Sequence, residues 1–438
     1  MPSSPHRHPL LQSPWIWIPA LFMAESIPAA MVTFVALIMF VQFDASYTLA
    51  TVYTALLALP WALKPLFRQR IRRAGHFKRS IHLLQFFIFL ALLATALYVN
   101  RDSARSLFIF LHVFLVSELC AWHSVVTHLY YERILYPRQQ HLYNKTKHLA
   151  SQTAVVLTYG ILIIFVGFLE VFFRDIHRAW AMENYLLAGV FFLVFVVNLI
   201  VLPRLPRHSS AHYRALRAQR RRQHLQSQQP NSSFSHSPIL HSSFFILHTL
   251  IFFLLLPQSL LFCTRLLYLI APAEADGLHC SLQDVGFAQG TIGVIAFSAG
   301  TLLGNRFLQT RISRLLMPLL LTLSPVFYYL MTIHPQPDSL TAICLMTGLT
   351  QFSFGYGLNL MLHFLQHLAG NQYRNTTNFL YVSPVAASML LPVALSGYIL
   401  QAIGFQDIFR LAVILAIPAL LILFSFSHFL NFSLSTKS

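Results

Sequence analysis

The chain has 438 residues, of which 56% are hydrophobic and only 10% charged, and its mean hydropathy is +0.61. Soluble domains carry about 25% charged residues, so a chain this apolar cannot solvate its own surface. The formal net charge of +17 raises nucleic-acid binding as a class, but the basic residues cluster in short loops between apolar runs, which argues against a nucleic-acid partner. The four cysteines make no framework. Cys120, Cys263 and Cys344 lie within apolar runs and Cys280 stands alone in a short loop, so neither disulfide, metal nor other cofactor is expected.

In chain order, the N-terminal tail 1–14, MPSSPHRHPLLQSP, is too polar and Pro-rich for a cleavable signal. Runs near the roughly 20 apolar residues that cross a bilayer follow at 15–42, 47–67, 80–99, 106–131, 149–173, 180–202, 243–270, 284–304, 312–333, 338–360, 376–402 and 407–430. This predicts an all-α polytopic membrane protein. Its twelve transmembrane helices form two pseudo-symmetric six-helix bundles, 15–202 and 243–430, joined by a basic linker at 203–242 and followed by a tail at 431–438. In the linker, Arg214, Arg217 and Arg221 fall near one helical face, which fits a short amphipathic helix on anionic headgroups. A solvated linker is the favoured reading.

Lys and Arg alternate between loops, 23 on one side and 4 on the other. By the positive-inside rule both termini are cytoplasmic, and the same split accounts for the net charge. Two local patterns concern packing. Gly286 and Gly290, and Gly300 and Gly304, sit four apart with Gly293 between them, a spacing that lets helix backbones approach closely in lipid. Prolines within spans, at Pro28, Pro60, Pro257, Pro325, Pro384 and Pro392, predict kinks.

Ionisable residues inside spans cost about 2.5–3.5 kcal/mol at the bilayer centre, so each asks for a partner or a task. Glu25 lies near the middle of span 1 and Glu118 near the middle of span 4. Carboxyls withdrawn from water can bind a proton, the property a proton-coupled carrier needs; a structural pairing is the plainer reading of either. His112 and His123 share a stripe of span 4, as hydrogen-bonded histidines or a relay. His128 and Glu132 approach the cytoplasmic edge, where water is expected. Arg265, in the outer third of span 7, attracts an anion, pairs with an acid or snorkels to headgroups. Lys64, near the cytoplasmic end of span 2, is expected to snorkel. Glu170 and Arg174 read as an i,i+4 ion pair. Gln258 on span 7 and Gln351 and Asn359 on span 10 are neutral groups suited to a polar solute.

Several of these segments carry a resemblance. WIWIPALFMAESIPAAMV (15–32), YTALLALPWALKPLF (53–67), LPQSLLF (256–262), QDVGFAQGTIGVIAFSAGTLLG (283–304) and LLPVALSGYILQAIGFQDIF (390–409) resemble the AmpG-type muropeptide permease branch of the major facilitator superfamily, particularly its Bacteroidetes-like members. The resemblance implies that Glu25 holds the place of a helix 1 acid, that Lys64 matches a family lysine, and that helices 1, 4, 7 and 10 line a central cavity. Glu25, Glu118, Arg265 and Gln351 fall one on each of those helices. The chain departs from the family pattern at Arg72, Trp122, Gln258 and Cys263, where the family carries charged residues, so the substrate or its coupling is expected to differ.

These readings converge on a secondary active transporter in the bacterial cytoplasmic membrane, a proton-coupled symporter for a polar small solute such as a muropeptide or sugar-peptide. It is expected to act as a monomer among membrane lipids, with the solute and the proton as its partners, and without enzymatic activity. Two alternatives fit the same residues: a carrier-derived sensor or scaffold that moves nothing, for which the lost family charges argue, and a polytopic membrane transferase, for which no loop is long enough apart from the linker.

Overall fold

A computed structural model describes residues 13–203, 239–307, 311–333, 339–368 and 377–435. They form rods that we number in chain order: α1 (Pro14–Gln42), α2 (47–74), α3 (Phe77–Val99), α4 (Ser106–Ile134), α5 (137–173), α6 (Ile176–Val201), α7 (Ile239–Ile270), α8 (282–307), α9 (Arg311–Ile333), α10 (Leu340–Leu368), α11 (377–403) and α12 (405–435). Nine stretches among the described residues are long and apolar enough to cross a membrane. One of them, Val385–Pro418, runs through both α11 and α12, while α9 and α10 fall outside that set. Large apolar side chains such as Val171, Phe172, Leu193 and Ile417 stand exposed on the outside of the rods, where lipid rather than water can meet them.

Each expected span overlaps a rod, but several rods run past the apolar limits, α2 to Ala74, α5 from Pro137 and α10 to Leu368. Helix α5 begins at Pro137, twelve residues before the apolar run, because Pro137 occupies the first turn and the Gln139 side chain accepts the Tyr136 N–H at 3.1 Å. Helical structure therefore runs through the polar segment 137–148 and brings Tyr143 and Lys147 against the other helices. The join between α11 and α12 is tighter than a loop: helical structure is interrupted at Gly404, with φ 78° and ψ 176°, a backbone conformation essentially restricted to glycine. The insert at 204–238, including Arg214, Arg217 and Arg221, lies outside the described residues.

Side-chain oxygens cap the helices at the end away from the basic loops. Ser46 accepts from Leu49 N, Asp175 from Arg178 N and Ser281 from Asp284 N. The Glu170–Arg174 ion pair does not form. Arg174 closes α5 in the left-handed region, its N–H bonding the Glu170 carbonyl at 2.9 Å, and leaving helical geometry removes the i,i+4 side-chain register. At the basic end, Lys78 Nζ donates to the Leu202 carbonyl and Tyr130 Oη to the Pro203 carbonyl at 2.6 Å. Both carbonyls at the end of α6 are thereby held just before the insert.

Among the described residues, three rods carry a π-helical stretch: Met31–Val35 in α1, Val156–Ile161 in α5 and Gly286–Gly293 in α8. The last two face one another across the two halves of the chain. A Cβ added to Gly290 would lie 2.2 Å from the Tyr159 carbonyl oxygen and 2.5 Å from Gly160 Cα, and one added to Gly286 would meet Gly160 O at 2.9 Å. Helix α8 turns its other glycines toward α10, where a Cβ on Gly300 would meet Phe352 O at 2.2 Å. The spaced glycines thus serve two partners, α5 in the opposite half and α10 in their own. Gly397 of α11 packs likewise on α2, 2.6 Å from the Tyr47 carbonyl oxygen by the same construction.

Because the atoms facing Gly290 are backbone, Gly290→Ala forces α5 and α8 apart. Overpacking costs about 1–3 kcal/mol, so thermal unfolding of the purified variant in detergent is expected at lower temperature than wild type. Gly348→Ala, whose added carbon meets nothing nearer than Ile292 Cγ2 at 3.6 Å, is expected to unfold as wild type does.

Candidate functional site

Four rods bring polar side chains to one point inside the first half. Counting 1.5 Å per residue from the basic ends of α1 and α5, Glu25 and Lys147 both lie roughly 15 Å deep. Ser124 and His128 are i,i+4 neighbours on one face of α4. Lys64 enters from α2, which is broken at Ala58 and again at Leu63. Pro60 and Pro65 account for the interruptions, since neither can donate a backbone hydrogen bond and each crowds the preceding turn. The broken backbone aims Lys64 at α4, so it does not snorkel: only 3% of its surface is exposed.

The hydrogen bonds run in one direction. Lys64 Nζ donates to Ser124 Oγ at 2.8 Å, and Ser124 Oγ donates to Glu25 Oε1 at 2.6 Å. His128 Nε2 lies 3.3 Å from the same carboxylate oxygen, and Lys147 Nζ lies 3.5 Å from His128 Nδ1. An ammonium can only donate, so Nδ1 accepts, the imidazole proton sits on Nε2, and Nε2 donates to Glu25. Glu25 Oε1 therefore receives two hydrogen bonds, while the buried Oε2 has no hydrogen-bond partner among the described residues. Both ammonium groups also rest on aromatic faces, Lys64 3.5 Å from the Trp61 ring centroid and Lys147 4.5 Å from that of Phe22. With His128 neutral, two cations face one carboxylate, and the cluster keeps one positive charge in excess.

The histidine and acid readings of α4 are thereby reordered. His128, expected to meet water, is the direct partner of Glu25. Glu132 does lie nearer the surface, 3.4 Å from Arg68. Glu118 accepts Trp122 Nε1 at 2.6 Å within its own helix, and Trp122 stacks on Phe67 with centroids 4.9 Å apart. His123 turns to α3, with Nε2 3.1 Å from Gln85 Nε2, and His112 bonds the Phe108 carbonyl at 2.7 Å. None of Glu118, His112 and His123 hydrogen-bonds to Glu25.

In the second half, Arg265 is partly buried with its guanidinium 5.9 Å from the Phe262 ring, within electrostatic reach of Tyr159. Tyr159 stacks on Phe34 at 5.1 Å, and Phe34 lies 6.4 Å from Phe262. This places Arg265 beside an aromatic group drawn from both halves rather than at the headgroups. Gln258 and Cys263 are buried. Gln351 packs against Gly293 of α8, and Asn359 Nδ2 donates to the Thr301 carbonyl at 3.1 Å. Arg72 is exposed beyond the end of the membrane-spanning part of α2. Glu183 on α6 is fully buried, and neither carboxylate oxygen has a hydrogen-bond partner among the described residues. Those residues contain no group of three His, Cys, Asp or Glu side chains able to hold a metal.

Sequence reasoning singled out Glu25 and Lys64 separately but missed Ser124, Lys147 and Glu183 and misplaced His128. The i,i+4 spacing of Ser124 and His128 was a usable signal. Lys147 was hidden because it precedes the apolar run, and Glu183 because it follows the start of α6 within a polar turn.

No family model matches the chain, and no curated protein matches it in sequence. Its architecture is shared with solved transporters. The nucleoside transporter NupG superposes with a TM-score of 0.62 at 14% identity, covering 94% of this chain and 98% of that one. A D-xylose-proton symporter gives 0.62 at 12%, over 93% and 95%. A bacterial homolog of the human lysosomal transporter Spinster, in an inward-facing and occupied conformation, gives 0.66 at 14%, over 98% and 97%. The chain has the major facilitator fold. At such identities the likeness fixes the fold alone. Within that fold the Glu25 cluster belongs wholly to the first half, and Arg265 belongs to the second, beside Phe262.

Removing one member of a buried charge group costs about 3–5 kcal/mol when the remainder is left uncompensated. Lys64→Met is expected to lower the unfolding temperature in detergent markedly, and Glu25→Gln likewise, since it leaves the buried Lys64 and the half-buried Lys147 without their shared acid. The double variant is expected to lose less than the sum of the two, by about 0.5–3 kcal/mol, in a four-way comparison of unfolding curves. Additive losses would mean that the two side chains do not act together.

Proposed function

We propose that the chain is a secondary active transporter, a proton-coupled symporter that moves a polar small solute by alternating access. The observation that carries this reading is Glu25: a carboxylate deep in a membrane bundle, oriented through one oxygen by Ser124 and His128, with the other oxygen buried and without a hydrogen-bond partner among the described residues. Protonation there changes the charge of the cluster from one positive excess to two. A carrier needs such a step, because the site's affinity for solute must differ between its two loading states. The solved transporters of this fold, one named as a proton symporter, support the class.

The excess positive charge of the cluster, with Arg265 in the other half, favours a solute bearing an anionic group. The likeness of Glu25, Lys64 and the 283–304 segment to AmpG-type permeases points the same way, to a muropeptide or another sugar-peptide. In this reading the protein is a monomer of the bacterial cytoplasmic membrane with both termini inside and no enzymatic activity. The basic end is then the cytoplasmic face, and Glu25 receives its proton from the opposite side on the way in.

The test is reconstitution into proteoliposomes loaded with a pH-sensitive dye and offered cell-wall turnover fragments, sugars and peptides in turn. For the solute that is taken up, an imposed proton gradient is expected to drive accumulation, with lumenal acidification. Glu25→Gln is expected to reduce gradient-driven accumulation to the level of protein-free vesicles while retaining solute exchange at equal concentrations. Accumulation that persists in Glu25→Gln removes this residue from the coupling step.

A further inference from the structure

The two halves meet in two unlike ways along α5 and α8. Away from the basic loops, Gly160 and Gly290 bring backbone against backbone, with the Thr291 hydroxyl beside them. Toward the basic end the same two helices are joined by a side-chain hydrogen bond. His148 Nε2 of α5 lies 3.3 Å from Thr301 Oγ1 of α8. The Thr301 hydroxyl has one proton, and its geometry gives that proton to the Ser298 carbonyl at 2.8 Å; His148 must therefore donate through Nε2. Asn359 Nδ2 of α10 donates to the Thr301 backbone carbonyl at 3.1 Å, and Gly304 leaves room for that amide, since a Cβ there would sit 3.1 Å from Nδ2.

We propose that His148, Thr301 and Asn359 form a latch that holds the basic end of the transporter closed, and that Lys147 ties this latch to the charge on Glu25. The inference rests on the alternating-access reading and adds the residues that carry it. A neutral hydrogen bond exchanges readily with water, whereas interlocked backbone does not, so the halves pivot at the glycine contact and part at the latch. Lys147 and His148 are successive residues on one helix and point about 100° apart. Lys147 thus reaches His128 and Glu25 inside the first half while His148 reaches the second. When Glu25 is neutralised, Lys147 loses the nearer of the two carboxylates that attract it and keeps only the pull of Glu132, toward the surface. The helix that carries it then no longer holds His148 in register with Thr301. His148, Thr301 and Asn359 are positioning residues: none touches the proton on Glu25.

The experiment measures distances between spin labels at Leu142→Cys on α5 and Arg306→Cys on α8, both exposed. The full chain is held in lipid nanodiscs with its four native cysteines replaced by alanine, and retained folding is checked by its unfolding temperature. Thr301→Val, which keeps the shape and removes the hydroxyl, is expected to transfer population from the short to a longer distance, and His148→Phe to do the same. Thr301→Ser is expected to restore the wild-type distribution, a rescue that loss of packing alone would not produce. Glu25→Gln is expected to lengthen the distance as Thr301→Val does and to add nothing in the Thr301→Val background. If Glu25→Gln lengthens the distance and Thr301→Val does not, the latch is wrong and the carrier reading stands. If Thr301→Val lengthens it and Glu25→Gln does not, the tie through Lys147 is wrong. One fixed distance in every variant overturns both the latch and alternating access.

Discussion

An acid in a membrane interior must be accounted for, and the first half of this protein is organised around the one at Glu25. On insertion scales such a group costs about 2.5–3.5 kcal/mol, and the protein offsets that cost with two donors from α4 and, behind them, one lysine each from α2 and α5. Each donor depends on a local departure from a plain apolar rod. Lys64 reaches the acid's hydroxyl partner because prolines divide α2. Ser124 and His128 need one turn of α4 to be polar on one side. Lys147 needs α5 to start well before its apolar run. Where the backbone deviates from regularity, the chemistry follows.

The second half contributes few charges to the core and many close backbone approaches. Its π-helical stretch, Gly286–Gly293, packs on the one in α5. Wide turns of this kind are frequent at functional sites, and here they coincide with a close backbone approach between the halves. The division of labour is clear: the first half holds the titratable cluster, and α8 of the second provides the surface it closes against.

Much of the fold was legible from apolar length alone. A helix that crosses lipid must satisfy its own backbone, so run length is a direct measure of a span, and the glycine spacing in α8 predicted close packing that the backbone approaches bear out. The misreadings came from places where length carries no information. The polar segment 137–148 reads as a loop by hydropathy, although its proline start and Gln139 cap make it helix, and Lys147 was lost with it. Lys64 reads as a headgroup lysine from its position near a span end; the proline breaks that redirect it act in three dimensions. His128 lies five residues from His123 but on a different face, and which face met α1 was a tertiary fact. Glu118 had the same sequence credentials as Glu25, and only its pairing with Trp122 separates the two.

The way α6 ends has a consequence for how the insert after it is used. Lys78 and Tyr130 clamp the carbonyls of Leu202 and Pro203, and both belong to rods of the first bundle. The chain therefore leaves the bundle from a fixed post. A fluorescent domain or an affinity handle spliced in just after this post would ride with the acid-bearing bundle, giving a ready fiducial for following it in cryo-microscopy or single-molecule work without touching a transmembrane residue.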